Sequence, residues 1–114
     1  MKLITKAQYT KLLSNGERSK LDPSFDPAPV VKLFTPDGNA TWLLTEIDPR
    51  DTDIAFGLCD LGMGSPELGS VSITELLSVR GILGLPIERD RYYKSSIPIS
   101  KHAETARQHK RILA

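Results

Sequence analysis

Two short runs of β-branched, aliphatic and aromatic residues, Val30-Val31-Lys32-Leu33-Phe34 and Thr41-Trp42-Leu43-Leu44-Thr45, flank the segment Pro36-Asp37-Gly38-Asn39. The composition of the two runs favours strands, and Pro, Asp, Gly and Asn are the residues typical of turns. The stretch 30–45 therefore predicts a β-hairpin, around which the remaining segments are placed.

Three further strands are predicted after the hairpin. The polar turn 48–53 precedes a strand from Ile54 to Leu58, and a short strand from Leu68 to Ser72 follows. The segment from Leu85 to Tyr93 suits an edge strand. Pro86 has no backbone N–H to donate to a neighbouring strand, and charged side chains disfavour pairing of an exposed edge with another chain. Together these segments predict a mainly antiparallel sheet of four to five strands.

Helices are predicted at both ends of the chain and after the fourth strand. Thr5-Lys6-Ala7-Gln8 has the form of a capping box, and Asn15-Gly16 supplies a typical helix end. Ser72-Ile73-Thr74-Glu75 is a second capping box, which opens a short helix through Val79 that stops at Gly81. Ser100 caps a last helix extending to Leu113, weakly held because its apolar residues are few. The predicted class is α+β.

Length and composition bound the remaining possibilities. The chain has 114 residues, 39% of them hydrophobic, which predicts a single domain over residues 1–114. Cys59 is the only cysteine, and the first residues lack the apolar run of a signal peptide. A cytoplasmic protein is expected, with no membrane partner and no cofactor.

The net charge of +1 is the sum over one acidic block and two basic blocks of the chain. Residues 22–75 contain ten acidic and two basic residues, whereas residues 1–21 and 76–114 are basic. Charge asymmetry of this kind bears on partners and says nothing about the fold. The alternative is that the blocks neutralise one another in the folded protein.

Several blocks of sequence resemble a bacterial family of unknown function, number 2958. The resemblance is carried by Val31–Pro36, Ala40–Glu46, Phe56–Leu58, Glu67–Gly69, Ser72, Glu75-Leu76, Arg80-Gly81 and Gly84–Asp90. It covers residues from about 3 to 93, so the basic C-terminal helix, about 100–113, lies beyond it. The resemblance implies a role on plasmids and integrative elements and carries no established activity.

The acidic centre contains the first candidate site. Glu46 and Asp48 share one face if their strand continues, and Asp51 and Asp53 follow in the turn. Such a cluster of carboxylates could hold a divalent cation of the magnesium or calcium type. The structural alternative is that these Asp residues serve the turn itself by accepting hydrogen bonds from its backbone.

The triplet Glu88-Arg89-Asp90 is the second candidate. On a strand, Glu88 and Asp90 share one face, and Arg89 on the other could bind Glu46, Glu67, a phosphate or a partner's carboxylate. A structural ion pair would explain the triplet equally well.

Three further residue types have weaker functional interpretations. Trp42 is expected in the core, with a stacking platform for bases as the alternative. Cys59 is expected to be a buried, inert thiol. The spacing of His102 and His109 permits a shared helix face, but a metal site would need more ligands.

The residues leave three functional hypotheses open. The favoured one is a non-enzymatic accessory protein that binds another protein through the sheet face or the acidic centre. The second is a metal-assisted hydrolase or phosphodiesterase in which Glu46, Asp48, Glu88 and Asp90 converge and Arg89 stabilises developing charge. The third is nucleic-acid binding through basic termini, whose candidate contacts are Lys2, Lys6, Lys11, Lys101, Arg107, Lys110 and Arg111.

Overall fold

A computed structural model describes residues 3–114. Its elements follow the chain as α1 (Lys6–Leu21), β1 (Val31–Phe34), β2 (Thr41–Asp48), β3 (Asp51–Asp60), β4 (Glu67–Ser72), α2 (Ile73–Ser78), β5 (Glu88–Arg89) and α3 (Ile99–His109). All paired strands are antiparallel, and within the described residues they form one sheet in the order β4-β3-β2-β1-β5. The predicted α+β class, sheet type and three helices are confirmed.

The predicted hairpin forms the middle of the sheet. Val31 of β1 lies opposite Leu44 of β2, and Phe34 lies opposite Thr41. Thr35 closes the turn, since its backbone N–H donates to the Ala40 carbonyl at 3.0 Å and its Oγ1 accepts from the Ala40 N–H at 3.0 Å. The carboxylate of the turn residue Asp37 accepts a hydrogen bond from the Leu83 N–H, in the segment that follows α2.

Helix α1 begins at the predicted capping box but runs past its predicted end. The Thr5 hydroxyl accepts from the Gln8 N–H, and the Gln8 side chain accepts from the Thr5 N–H. Asn15 and Gly16 do not end the helix, which continues to Leu21. Instead, the Asn15 amide donates to the Thr45 carbonyl at 2.9 Å, and a Cβ on Gly16 would overlap the Ile47 carbonyl. The Asn-Gly pair therefore permits close approach of α1 to β2.

Three strand predictions had the wrong length. Strand β2 continues to Asp48, three residues past the predicted Thr45. Strand β3 extends from Asp51 to Asp60, beyond the predicted run from Ile54 to Leu58, because the long β2 pairs with it almost throughout. Strand β5 keeps only Glu88 and Arg89 of the predicted segment 85–93. The Asp90 carboxylate accepts from the Tyr92 N–H at 3.0 Å, which turns the chain away from the sheet edge.

Both faces of the sheet are covered. One face buries Val31, Leu33, Trp42, Leu44, Ile47 and Ala55 together with Leu12 of α1 and Leu76 of α2. The other buries Leu43 and Leu58 against Ile99, Ala103 and Ala106 of α3. No helix within residues 3–114 is long and apolar enough to cross a bilayer.

Helix α3 begins before its predicted cap and ends at His109, four residues before the predicted end at Leu113. Pro98 occupies the N-cap position, and Ile99 is a buried residue of the first turn instead of a preceding staple. The Ser100 hydroxyl, which the sequence assigns to capping, donates to the Asp26 carboxylate, as does the Ser100 N–H at 3.1 Å. The helix is held by small side chains, since Ala103 and Ala106 let its backbone lie close to β3 and β4.

Candidate functional site

Glu46 and Asp48 lie together at the end of β2, beside the last turns of α1. Lys20 Nζ is 3.5 Å from Asp48 Oδ1, and the same carboxylate oxygen accepts from the Arg50 N–H at 2.9 Å. That backbone hydrogen bond is the main reason why the pKa of Asp48 is lowered. Burial raises the pKa of Glu46, opposed by a hydrogen bond from Ser19. The two carboxyls border a cleft of about 250 Å³.

The other two carboxylates of the acidic centre have structural partners. Asp51 accepts from the Asp53 N–H at 3.2 Å. Asp53 accepts from the Ser72 hydroxyl at 2.6 Å, the Thr74 hydroxyl at 2.7 Å and the Thr74 N–H at 2.9 Å, so it fastens the start of α2 to β3. These hydrogen bonds, led by that of Ser72, lower the pKa of Asp53. In the part of the chain that the structure describes, no three His, Cys, Asp or Glu side chains are placed to hold a metal ion.

The triplet Glu88-Arg89-Asp90 lies at the opposite end of the hairpin, on the edge strand. Glu88 pairs with Phe34 and Arg89 with Leu33, so the side chains alternate as the sequence predicts. Asp90 Oδ2 is 3.9 Å from Lys32 Nζ, and the Asp90 N–H donates to the Lys32 carbonyl at 2.9 Å. Asp90 is thus part of the local β1–β5 structure.

The hydrolase hypothesis requires Glu46 and the triplet to converge, and the sheet register keeps them apart. Glu88 lies opposite Phe34, which lies opposite Thr41 at the start of β2. Glu46 is five residues further along β2, which corresponds to about 17 Å at the rise of a strand. No single reaction centre can include both groups.

The two carboxylates suggested as partners of Arg89 are also remote from it. Glu67 begins β4 at one edge of the sheet, while Arg89 lies on β5 at the other. Three strands separate them, a distance of about 19 Å at the usual strand spacing. The topology therefore excludes an ion pair between Arg89 and Glu67, and the β2 register places Glu46 at the far end of the hairpin.

The remaining candidate residues are placed in the core or in local hydrogen bonds. Trp42 is 4% exposed, so its ring packs in the core and presents no stacking surface. Cys59 is half-buried, and burial raises the pKa of its thiol to about 11, which keeps it protonated at neutral pH. His102 Nε2 is 2.9 Å from Ser95 Oγ, whereas His109 Nδ1 donates to the Thr105 carbonyl.

Sequence reasoning missed a protruding apolar loop, residues 81–85, between α2 and β5. Ile82 is 92% exposed and Leu83 is 77% exposed. The Leu83 and Leu85 N–H groups donate to Asp37 Oδ2 at 2.7 and 3.4 Å, and a bridge between Arg80 and Pro86 closes the base of the loop. The two glycines that flank Ile82-Leu83 could have indicated this loop in the sequence, because Gly81 and Gly84 permit a tight turn.

A second feature is a run of three clefts on the side of the sheet that α3 covers. The central cleft, about 660 Å³, is lined by Lys32, Phe34, Asp60, Lys110 and Arg111 among others. It shares Gly64 with a cleft of about 570 Å³ beside Arg107. It also shares Phe34 and Asp90 with a cleft of about 420 Å³ along Glu88–Tyr92. We call the surface formed by these three adjoining clefts the basic groove.

The two basic ends of the chain lie on opposite faces of the sheet. Lys6 and Lys11 belong to α1, which covers one face, whereas the C-terminal cations belong to α3 on the other. Lys2 lies outside the described residues. Of the C-terminal set, Lys101 pairs with Glu104 at 3.8 Å and lines none of the three clefts, while Arg107, Lys110 and Arg111 line the basic groove.

These features define a small α+β protein with an antiparallel sheet covered on both faces, an apolar loop and a groove bordered by cations. The chain belongs to the family described as Protein of unknown function (DUF2958), whose model matches residues 3–113. The match thus continues past Tyr93 and includes α3. No curated protein and no solved structure matches the chain.

Proposed function

We propose that the protein is a non-enzymatic accessory module that binds another protein through the apolar loop 81–85. The proposal includes a cytoplasmic location, which the lone cysteine favours, and a bacterial plasmid or integrative element as the context implied by the resemblance. The exposure of Ile82 and Leu83 on a loop fixed by Asp37 is the observation that carries it.

The loop replaces the surfaces that the sequence suggested. The sheet faces are covered by α1 and α3, so neither offers a broad free surface to a partner. In the acidic centre, Asp53 is engaged by Ser72 and Thr74, and Asp48 is engaged by Lys20 and Arg50. In the apolar loop, by contrast, Ile82 and Leu83 are exposed to solvent, so their side chains are accessible to a partner.

The loop has the two properties that favour affinity. Burying a large aliphatic side chain contributes about 1.5–3 kcal/mol, so Ile82 and Leu83 together could supply much of the energy of a moderate complex. Asp37 fixes the backbone before binding through its contacts with Leu83 and Leu85. A loop fixed in advance loses less conformational entropy when it docks, which favours a partner with an apolar groove.

Affinity capture from a bacterial host that carries the parent element tests this function. The bait is compared with the double variant Ile82→Ser/Leu83→Ser and with Leu21→Ser, a control at a leucine that is 87% exposed at the end of α1. We expect a partner that the wild type and Leu21→Ser both retain and the loop variant loses. Circular dichroism checks that all three chains fold alike.

Two outcomes would contradict the proposal. Equal capture by the loop variant would show that the loop does not bind the partner. Sedimentation velocity tests the other possibility: a concentration-dependent dimer of the purified protein that the loop variant abolishes would make the occupant of this surface a second copy of the chain.

A further inference from the structure

The three clefts of the basic groove are each open to solvent, which distinguishes them from an enclosed pocket for a small molecule. The central cleft adjoins one neighbour at Gly64 and the other at Phe34 and Asp90, which line both clefts. Small-molecule sites enclose most of their ligand. An open channel with several clefts in series suits an extended chain.

The charge along the groove is positive. Six basic and four acidic side chains line the three clefts among the described residues. Two of the acids are already occupied. Asp60 accepts from the Gly62 and Ile112 N–H groups at 2.8 and 3.0 Å, and Asp90 accepts from the Tyr92 N–H beside Lys32. These hydrogen bonds do not remove the charge of the two acids, and Asp90 offsets Lys32, so the excess of basic over acidic side chains along the groove stays at two.

Three cations come from one short stretch of chain. Arg107 lies in the last turn of α3, Lys110 occupies the left-handed C-cap of the helix, and Arg111 follows the cap. Asp60 fixes the chain that follows α3, because its carboxylate accepts a hydrogen bond from the Ile112 N–H. Lys32 is engaged by Asp90 and by the Ala114 carbonyl, so the contribution to a ligand falls mainly to the α3 cations.

Aromatic rings accompany the cations. Phe34 lines both the central cleft and the cleft at the sheet edge, where Tyr92 is 91% exposed. Cations that contact a phosphate backbone and exposed rings on which bases stack are the combination used to bind single strands. A duplex hides its base faces and would leave the rings without a role.

We propose that the basic groove binds single-stranded nucleic acid, with phosphates at Arg107, Lys110 and Arg111 and bases against Tyr92 and Phe34. This site is separate from the apolar loop, so the protein could hold a strand and a protein partner together. Because stacking and phosphate contacts are insensitive to base identity, the groove would bind with little sequence preference.

Fluorescence anisotropy of the full chain with labelled oligothymidylate, over a salt series, tests the proposal. The variants are Lys110→Ala/Arg111→Ala and Tyr92→Ala, with Lys101→Ala as the control on the same helix. We expect the double variant to bind about tenfold or more weakly and to reduce the salt slope by about 1.4, the value for two lost phosphate contacts on a single strand. Tyr92→Ala should weaken binding about fivefold or more with the slope unchanged.

The controls separate this proposal from that for the apolar loop. Lys101→Ala and Ile82→Ser/Leu83→Ser should bind the oligonucleotide as the wild type does. Failure of the wild type to bind at low salt would overturn the proposal, as would a double variant that matches Lys101→Ala. Duplex DNA bound as tightly as the single strand, together with no effect of Tyr92→Ala, would also overturn it.

Discussion

The Oδ2 atom of Asp37, in the β1–β2 turn, accepts a hydrogen bond from the backbone N–H of Leu83 at 2.7 Å. The two residues are far apart in the chain, and this contact fixes the loop that exposes Ile82 and Leu83. The other oxygen of the same carboxylate is buried against Gly81 with no hydrogen-bond partner. A turn residue of the hairpin thus also positions the surface proposed to bind a partner.

Gly81→Ala should displace the apolar loop. A Cβ at this position would overlap the Asp37 carboxylate, so the contacts of Asp37 with Leu83 and Leu85 would be lost or stretched. We expect a loss of about 1–3 kcal/mol in the free energy of unfolding, measured by urea titration. Gly69→Ala is the control, because its Cβ would meet no atom within 4 Å. Equal stabilities of the two variants would show that the close contact is not needed.

Gly16→Ala should destabilise the protein although it replaces a helix glycine. In an exposed helix this change stabilises by about 0.5–1 kcal/mol. Here the new methyl group would overlap the Ile47 carbonyl and force α1 away from β2, so we expect a loss of about 1–3 kcal/mol. The exposed Ser14→Ala, two residues earlier in α1, should be neutral or slightly stabilising in the same thermal or urea titration. A stabilised Gly16→Ala would contradict the observed helix packing.

Asp60→Asn should loosen the chain that follows α3. Asp60 is 3% exposed and accepts from both the Gly62 and the Ile112 N–H groups. An amide keeps one acceptor and places donors against the other N–H, so we expect a loss of about 1–3 kcal/mol. Hydrogen exchange at Ile112 should accelerate, while exchange at the Val30 N–H, which donates to Leu44 in the sheet, should change only with global stability. Unchanged protection at Ile112 would exclude the anchoring role.

Glu46→Gln should change the pH dependence of stability. Burial raises the pKa of Glu46, so its ionised form is less favourable in the folded chain than in the unfolded one. The stability contributed by Glu46 is therefore complete below the unfolded pKa of about 4.3 and is lost as pH rises through the folded pKa. We expect Glu46→Gln to be more stable than the wild type at neutral pH, by less than about 1 kcal/mol because the site is partly solvated, and equal to it in acid.

Asp48→Asn is the control of opposite sign. The Arg50 N–H and Lys20 lower the pKa of Asp48, so its contribution is present above the unfolded pKa and is lost as pH falls through the folded pKa. This variant should therefore be less stable than the wild type at neutral pH and should match it in acid. Unfolding free energies are measured by urea titration across the pH range. If both variants were stabilised, or both destabilised, at neutral pH, the opposite pKa shifts of Glu46 and Asp48 would be contradicted.

Local patterns in the sequence predicted the elements and said little about how the candidate groups are arranged. The predicted capping box at Thr5–Gln8 is complete, and of the one predicted at Ser72 the structure shows the hydrogen bond from the Glu75 N–H to the Ser72 hydroxyl; both depend on atoms within one helical turn. The acidic centre was recognised as a cluster in sequence, yet Asp53 serves α2 and the triplet lies at the far end of the hairpin. The basic groove had no signal in the sequence, because it depends on residues from distant segments, and the only signal for the apolar loop was the pair Gly81 and Gly84.

By itself, the sequence determined the β1–β2 hairpin, the sheet class and the starts of α1 and α2, because strand propensity, turn chemistry and capping act between near neighbours. The tertiary structure alone decided that Asn15-Gly16 packs α1 on β2 and that two alanines dock α3 on the opposite face. It also decided that Lys110 and Arg111 share a groove with Phe34. These contacts join residues far apart in sequence, and their formation depends on strand order and helix placement, which local pattern does not encode.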